Sequence, residues 1–237
     1  MTSETLELED IRCLDVDLAT KLAAFVETLT ATRPTLANLY GELIARLECA
    51  GAGDEAPDVG QPMPPFLLPD NEGRLVSSDD LLADGPLVIS FNRGHWCEFC
   101  QLELLEMAEI HPEIRRLGGE VVSITPDRAS ETRRWRECDH LPFAMLTDLD
   151  CGYALACGLM IALGPAVRDL YRSAGVDLPR FQGNEAHFVP IPATYVIARG
   201  GVIAARFVAV DFRRRMSPEA IGEALRPLCE DGRKSET

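Results

Sequence analysis

PLVISFNRGHWCEFCQLELLEM, residues 86–107, joins a short apolar run, two cysteines three positions apart and an amphipathic stretch. A continuous apolar run such as PLVISF is typical of a strand that is buried on both faces. The residues from Glu98 onward place their apolar side chains at helical spacing, which predicts a helix. The motif Cys97-Glu98-Phe99-Cys100 therefore falls where a buried strand passes into a helix.

This position gives the cysteines a chemical context. The start of a helix carries partial positive charge and unpaired N–H groups, which predicts a lowered pKa for the thiol of Cys97. The thiolate is the nucleophile in disulfide exchange, and the spacing allows Cys100 to close a small disulfide ring. Arg93 is expected either to add positive charge beside the thiolate or simply to form a salt bridge, whereas the carboxylate of Glu98 acts against the thiolate. A C-x-x-C motif near a βαβ pattern indicates a thioredoxin-like redox pair.

Composition limits the remaining classes of function. The chain has 237 residues, of which 46% are hydrophobic, and a formal net charge of −15. This length predicts one core domain plus an appendage. The acidic charge argues against binding to nucleic acid or to an anionic membrane. The N-terminus lacks the apolar stretch of a secretory signal, and the apolar segment 153–167 is too short to span a bilayer. We therefore expect a cytoplasmic protein whose eight cysteines form no structural disulfide framework.

The order of predicted elements indicates an α/β fold. Residues 1–50 are predicted to form an N-terminal helical hairpin, with Pro34 opening its second helix, followed by a linker rich in Gly and Pro. Residues 57–230 alternate as β-α-β-α-β and then β-β-α, which predicts a mixed central sheet with helices on both faces. Within this domain, residues 151–174 are predicted to be mainly helical.

The same residues also have interpretations that involve no redox chemistry. The alternatives for Cys97 and Cys100 are an inert buried pair and a zinc site, but tetrahedral zinc needs four ligands and no second C-x-x-C motif is present. Trp96 is expected either to pack beside the pair and limit access or simply to fill the core. The short basic run DFRRRM, residues 211–216, is expected to be a solvated face without a ligand.

Several stretches of the chain together resemble the AhpC/TSA, or peroxiredoxin-like, branch of the thioredoxin-fold superfamily. They are VGQPMPPFLLPDNEGRLVSSDDLL (59–82), LVISFNRGHWCEFCQLEL (87–104), VVSITPD (121–127), MLTDLD (145–150) and IPATYVIARGGVIAARF (191–207). The resemblance implies a thioredoxin-like fold and thiol-dependent antioxidant chemistry. It also implies that Pro192 is a cis-proline that faces the two cysteines.

The details of the motif leave the order of attack open. Laid on the peroxiredoxin motif, Cys100 takes the place of the cysteine that attacks peroxide, and Cys97 takes the place of a threonine. Pro192 stands where peroxiredoxins keep an arginine, as it does in thioredoxins. Many relatives read W-C-P-Y-C, whereas this chain has Glu98 and Phe99 between the cysteines.

The sequence therefore predicts a thiol-disulfide oxidoreductase that cycles Cys97 and Cys100 between dithiol and disulfide, supported by Trp96, Arg93 and Pro192. The expected substrate is a hydroperoxide or a disulfide, and the expected partner is a thiol reductant such as a thioredoxin-type protein. No metal or other cofactor is expected, and a homodimer is one assembly considered. The competing hypothesis is a non-catalytic redox sensor or interaction protein that is switched by the same disulfide.

Overall fold

The central element of the fold is a five-stranded mixed sheet. The computed structural model of the chain describes residues 6–234, with side chains up to Cys229. The strands are β1 Leu67–Pro69, β2 Leu75–Ser77, β3 Leu87–Phe91, β4 Glu120–Thr125, β5 Ala144–Thr147, β6 Met160–Ala162, β7 Phe188–Pro190, β8 Ala193–Ile197 and β9 Ile203–Val208. The sheet has the order β5-β4-β3-β8-β9, in which β3, β4 and β5 are parallel while β8 runs antiparallel to both β3 and β9.

Helices connect and cover these strands. They are α1 Leu8–Arg12, α2 Leu18–Thr32, α3 Pro34–Cys49, α4 Ser78–Asp84, α5 Glu98–Arg116, α6 Ala129–Cys138, α7 Gly152–Ala156, α8 Pro165–Ser173, α9 Leu178–Gln182 and α10 Pro218–Lys234. The parallel strands need crossover connections, which α5 and α6 provide. Every residue of β3 and β8 is buried, as expected for strands covered on both faces. The predicted α/β, thioredoxin-like fold is confirmed.

The N-terminal helices pack on the sheet domain and share its core. Phe25 of α2 and Tyr40 of α3 are buried, and α2 lies against α5. Pro34 is the first residue of α3, where its missing N–H is not needed by the helix. The hairpin predicted for this region is therefore present, with the short α1 as an addition. Residues 50–66 contain neither helix nor strand, and the division of the chain into two domains stays a prediction.

The segment 151–174 is mainly helical, as predicted, but a short strand that was not predicted interrupts it. After α7 the chain turns at Gly158, whose φ of +64° favours glycine, and continues as β6. β6 pairs antiparallel with β7, so that Met160 lies opposite Pro190. A short apolar run fits a strand or a helix equally well, and pairing with a segment distant in the sequence decided between them.

Pro192 lies directly before β8 at the end of the sheet that carries the cysteines. The pairing of Phe91 with Ala193 puts the start of β8 beside the end of β3, where the chain enters the motif. The cis peptide bond implied for Pro192 is wrong, since all peptide bonds in the described residues are trans. Pro192 precedes the strand and thus needs no ladder N–H, and a trans bond is the ordinary state of an X-Pro peptide.

Within residues 6–234, no helix has both the length and the apolar character that crossing a membrane requires.

Truncation of Leu22 to Ala tests whether the N-terminal helices unfold together with the sheet. Leu22 is buried in α2, so its loss is expected to lower the free energy of unfolding by about 2–5 kcal/mol. Both tryptophans lie outside the N-terminal helices. Urea titrations should therefore shift the tryptophan fluorescence and the helical circular dichroism to the same lower midpoint.

The exposed Glu27 on the same helix provides the control, because Glu27→Ala should change stability by only about 0.5 kcal/mol. If Leu22→Ala shifts the dichroism midpoint while the fluorescence midpoint stays in place, the N-terminal helices are a separately folding unit.

Candidate active site

The two cysteines meet at the first turn of α5. Cys97 is the N-cap residue of the helix and has an extended backbone, while Cys100 lies one turn further on. The N–H of Cys100 donates to the carbonyl of Cys97 over 3.0 Å, which fixes the turn. The two Sγ atoms are 2.8 Å apart as free thiols, and their side chains are buried, with Cys97 2% exposed and Cys100 fully enclosed. The structure therefore brings the predicted pair together, in a site closed to bulk solvent.

A tight turn at Gly94 delivers the chain from β3 to this helix. Gly94 has a φ of +136°, and a β-carbon there would lie within 3 Å of both the Trp96 indole nitrogen and the Asp127 carboxylate. Only glycine fits such a backbone and such a space. The turn also directs the N–H of His95 to Oδ2 of Asp127 over 2.7 Å.

A buried ion pair lies beside Cys100. Nε of Arg215 donates to Oε2 of Glu103 over 2.6 Å, and the two side chains are 1% and 2% exposed. Nη2 of the same guanidinium is 3.4 Å from Sγ of Cys100. The other oxygen of Glu103 accepts hydrogen bonds from the hydroxyls of Ser90 and Thr194. A cation is therefore held against one of the two sulfurs by a fully bonded carboxylate.

The prediction that DFRRRM is a solvated face is thus wrong for Arg215. Its neighbour Arg214 is exposed as expected, but Arg215 turns inward between α5 and the sheet. Nothing in the local sequence distinguishes one arginine of the run from another. The buried carboxylate of Glu103 explains why Arg215 turns inward, because a fully buried charge in a protein is almost always paired.

The two thiols differ in acidity. Burial raises the pKa of Cys97 well above its ordinary value, and its contact with Cys100 adds to the effect, which Arg93 and Arg215 only partly oppose. Burial also acts to raise the pKa of Cys100, but the hydrogen bond with Cys97 and the charge of Arg215 outweigh it and lower that pKa to about 7. The expectation of a lowered pKa for Cys97 is therefore wrong, because burial outweighs the helix start and the closest cation faces the other sulfur.

Arg93 forms a second buried cation in the site. Its guanidinium lies 4.0 Å from the ring centre of Phe212 and 4.9 Å from that of Trp96, and it donates to the hydroxyl of Tyr171. Nε and Nη1 of Arg93 have no hydrogen-bond partner among the described residues. Aromatic faces stabilise a guanidinium without neutralising it. Arg93 therefore keeps its positive charge beside the pair, and Trp96 forms part of its enclosure.

Asp127 adds a buried carboxyl that the sequence analysis did not single out. It follows β4, and its Oδ1 has no hydrogen-bond partner in the described part of the chain. Burial raises the pKa of this carboxyl to about 7, with the nearby Cys100 among the smaller causes. A carboxyl with this pKa can hold or release a proton at neutral pH.

The remaining cysteines range from buried to exposed. Cys151 and Cys157 flank α7 and are buried in the core. Cys138 is exposed. Between residues 6 and 229, no group of three or more His, Cys, Asp or Glu side chains is arranged to hold a metal ion.

Comparisons with known proteins identify one matching family and several similar oxidoreductases. The family model described as the AhpC/TSA family matches residues 59–206. The bcp protein of Coxiella burnetii, which is named as a peroxiredoxin, is 27% identical over 104 residues, covering 44% of this chain and 68% of that protein. The thiol-disulfide oxidoreductase ResA of Bacillus thuringiensis is 29% identical over 76 residues, covering 32% of this chain and 43% of ResA, so the match spans less than half of that relative.

One similar solved structure is that of a peroxidoxin. The crystal structure of peroxidoxin BcpB from Mycobacterium tuberculosis has a TM-score of 0.56 and 18% identity, covering 73% of this chain and 96% of BcpB. This likeness supports the fold. The match to the family model extends over more than half of the chain. The chain therefore belongs to the AhpC/TSA family, as its resemblance predicts, and the names of its relatives are those of oxidoreductase enzymes.

Proposed function

We propose that the protein is a thiol-dependent peroxidase that reduces hydroperoxides through a dithiol-disulfide cycle of Cys97 and Cys100. The observation that carries this proposal is the position of the Cys100 sulfur, which lies 3.4 Å from the Arg215 guanidinium and 2.8 Å from the sulfur of Cys97. The cation favours a thiolate on Cys100, and the neighbouring thiol is in place to form the disulfide. This arrangement supports the version of the cycle in which Cys100 attacks first.

In the first step, the Cys100 thiolate attacks the terminal oxygen of a hydroperoxide. The sulfur–oxygen bond forms as the oxygen–oxygen bond breaks, so that Cys100 becomes a sulfenic acid and the substrate leaves as an alkoxide. The alkoxide takes a proton and departs as an alcohol. Asp127 suits this donation, since its pKa of about 7 leaves part of the population protonated at neutral pH.

In the second step, the sulfur of Cys97 attacks the sulfenic acid, and the disulfide forms with release of water. The raised pKa of Cys97 keeps it a neutral thiol until this step, while Arg93 is available to stabilise the charge that develops as its proton leaves. A thiol reductant, such as a thioredoxin-type protein, then returns the pair to the dithiol by exchange and is itself oxidised to a disulfide. We further propose a cytoplasmic location, where such reductants are available.

Reduction of disulfides by the same pair is the second candidate activity. It is favoured by the C-x-x-C motif at a helix start and by the match to ResA, which is named as a thiol-disulfide oxidoreductase. A redox sensor that uses the same disulfide differs from both enzymes because it does not turn over. Consumption of many equivalents of hydroperoxide per protein, with a reductant supplied, separates the enzyme from the sensor.

Single substitutions assign the two sulfurs. Cys97→Ser should still form a sulfenic acid with hydrogen peroxide, measured by a dimedone adduct, because Cys100 and Arg215 are intact. Cys100→Ser should lose the reaction of the pair with peroxide by at least about 100-fold, because the nucleophile is removed. Peptide mass spectrometry restricts the readout to the peptide that contains residue 97. A dimedone adduct at Cys97 in the Cys100→Ser variant, formed at the wild-type rate, contradicts this assignment.

The pH dependence tests the role of Arg215. Since the thiolate of Cys100 is the reactive form and protonated Asp127 is the proposed acid, the rate of oxidation by peroxide should rise with pH around the pKa of Cys100, about 7, and fall again as Asp127 loses its proton. The midpoint of the rising limb reports the thiol. Replacing both partners of the ion pair, in Glu103→Gln/Arg215→Met, removes the cation without leaving a buried carboxylate uncompensated. That midpoint should then move to higher pH, because the charge of Arg215 lowers the pKa of Cys100 by more than Glu103 raises it.

The neighbouring exposed arginine supplies the matched control, since Arg214→Met should leave the midpoint in place. Stopped-flow measurements of the first oxidation, made between pH 5 and 10 in the absence of reductant, report this step alone. An unchanged midpoint in the double variant contradicts the role given to Arg215.

A further inference from the structure

The N-terminal helices contact both residues that separate the two cysteines. Phe25 of α2 packs edge to face on Phe99, with ring centres 5.0 Å apart. Arg33, at the junction of α2 and α3, forms an ion pair of 3.1 Å with Glu98. These are the two positions at which the motif departs from the W-C-P-Y-C of many relatives. The unusual residues of the motif are therefore the ones that hold the N-terminal helices over it.

A second set of contacts extends this cover over the neighbouring cation. Tyr40 of α3 lies 4.9 Å from Phe212 and 5.8 Å from the guanidinium of Arg93, measured from ring centres. Phe99 and Phe212 are themselves 6.1 Å apart. The aromatic side chains of the helices and of the site form one continuous apolar layer. This layer joins the N-terminal helices to residues that adjoin the two cysteines.

The three ion pairs across this boundary have the same polarity. Besides Arg33, Lys21 of α2 pairs with Glu106 over 2.7 Å, and Arg12 of α1 pairs with Asp139 over 3.4 Å. In each pair the cation belongs to the N-terminal helices and the carboxylate to the sheet domain. The helices thus dock on the acidic domain by complementary charge as well as by apolar contact. We refer to α1, α2 and α3 together as the cap.

We propose that the cap is a size filter and that Phe25 and Arg33 are specificity-determining residues, which reserve the cysteine pair for small hydroperoxides and exclude folded protein disulfides. The proposal rests on the function proposed above and names its substrate class. Attack on a disulfide requires the thiolate to reach the target sulfur in line, and a cysteine at 0–2% exposure cannot meet one on a protein surface. Hydrogen peroxide must also be attacked in line, but it is close to water in size and needs only a small opening. The same cap faces a protein reductant, whose access then depends on displacement of the cap.

Labelling with maleimides of two sizes tests the filter without relying on turnover. The full chain is treated with N-ethylmaleimide or with a maleimide attached to a long polyethylene glycol chain. Labelling of the pair is obtained by subtracting the labelling of the Cys97→Ser/Cys100→Ser variant from that of the wild type. The rate of each reagent with the pair is divided by its rate with free cysteine. In the wild type, this normalised rate should be at least about tenfold higher for the small reagent than for the large one.

Loosening the cap should remove this difference. Phe25→Ala is expected to speed reaction of the pair with the large reagent by about tenfold, with a much smaller effect on the small one. Arg33→Ala removes the half-exposed ion pair at less risk to folding, and it should change the ratio in the same direction by a smaller factor. Leu146→Ala, at a buried position on β5 outside the cap, is the control for general destabilisation.

Steady-state rates complete the test. Phe25→Ala should raise kcat/KM for insulin disulfides and for a thioredoxin-type reductant, while the first oxidation by hydrogen peroxide stays within about threefold of the wild type. Equal labelling of the wild-type pair by both reagents overturns the size filter, and so does the same acceleration in Leu146→Ala as in Phe25→Ala. If the pair is labelled as expected but the protein consumes no peroxide, the size filter is supported and the proposed peroxidase activity is contradicted.

Discussion

The carboxylate of Glu103 and the guanidinium of Arg215 form the contact on which the site is built. Glu103 lies on α5, accepts hydrogen bonds from Ser90 of β3 and Thr194 of β8, and pairs with an arginine that follows β9. One side chain thus ties the central helix to two neighbouring strands and to the C-terminal part of the domain. Loss of either partner alone would leave a buried charge, which typically costs about 3–5 kcal/mol.

This contact also makes the two cysteines unequal. They share a helix turn and nearly complete burial, but Arg215 lies against only one of them. The hydrogen bond with Cys97 and the charge of Arg215 together lower the pKa of Cys100, since electrostatic interactions are strong where water is excluded. Burial keeps the pKa of Cys97 raised, and the charge of Arg93 opposes this effect only in part. Position along a helix, which alone suggests Cys97 as the acidic thiol, counts for less than the cation beside Cys100.

Much of the fold could be predicted from sequence because its signals are local. The buried strands at PLVISF and EVVSIT, the amphipathic α5 and the helix opened by Pro34 are each stated by residues close together in the chain. The strand β6 could not be predicted in this way, because its partner β7 lies more than twenty positions away. The buried Arg215 was missed for the same reason, since its carboxylate partner lies on α5, far earlier in the sequence.

The sequence by itself determined the family, the mixed sheet and the placing of two cysteines at a strand-to-helix junction, because these depend on short-range spacing and periodicity. Only the tertiary structure decided which arginine faces a sulfur, which carboxyl is buried unpaired, and that Glu98 and Phe99 hold the N-terminal helices over the motif. These depend on distances between atoms that are far apart in the chain. Burial and the Coulomb energy between charges are set by those distances, and both change steeply over a few ångströms.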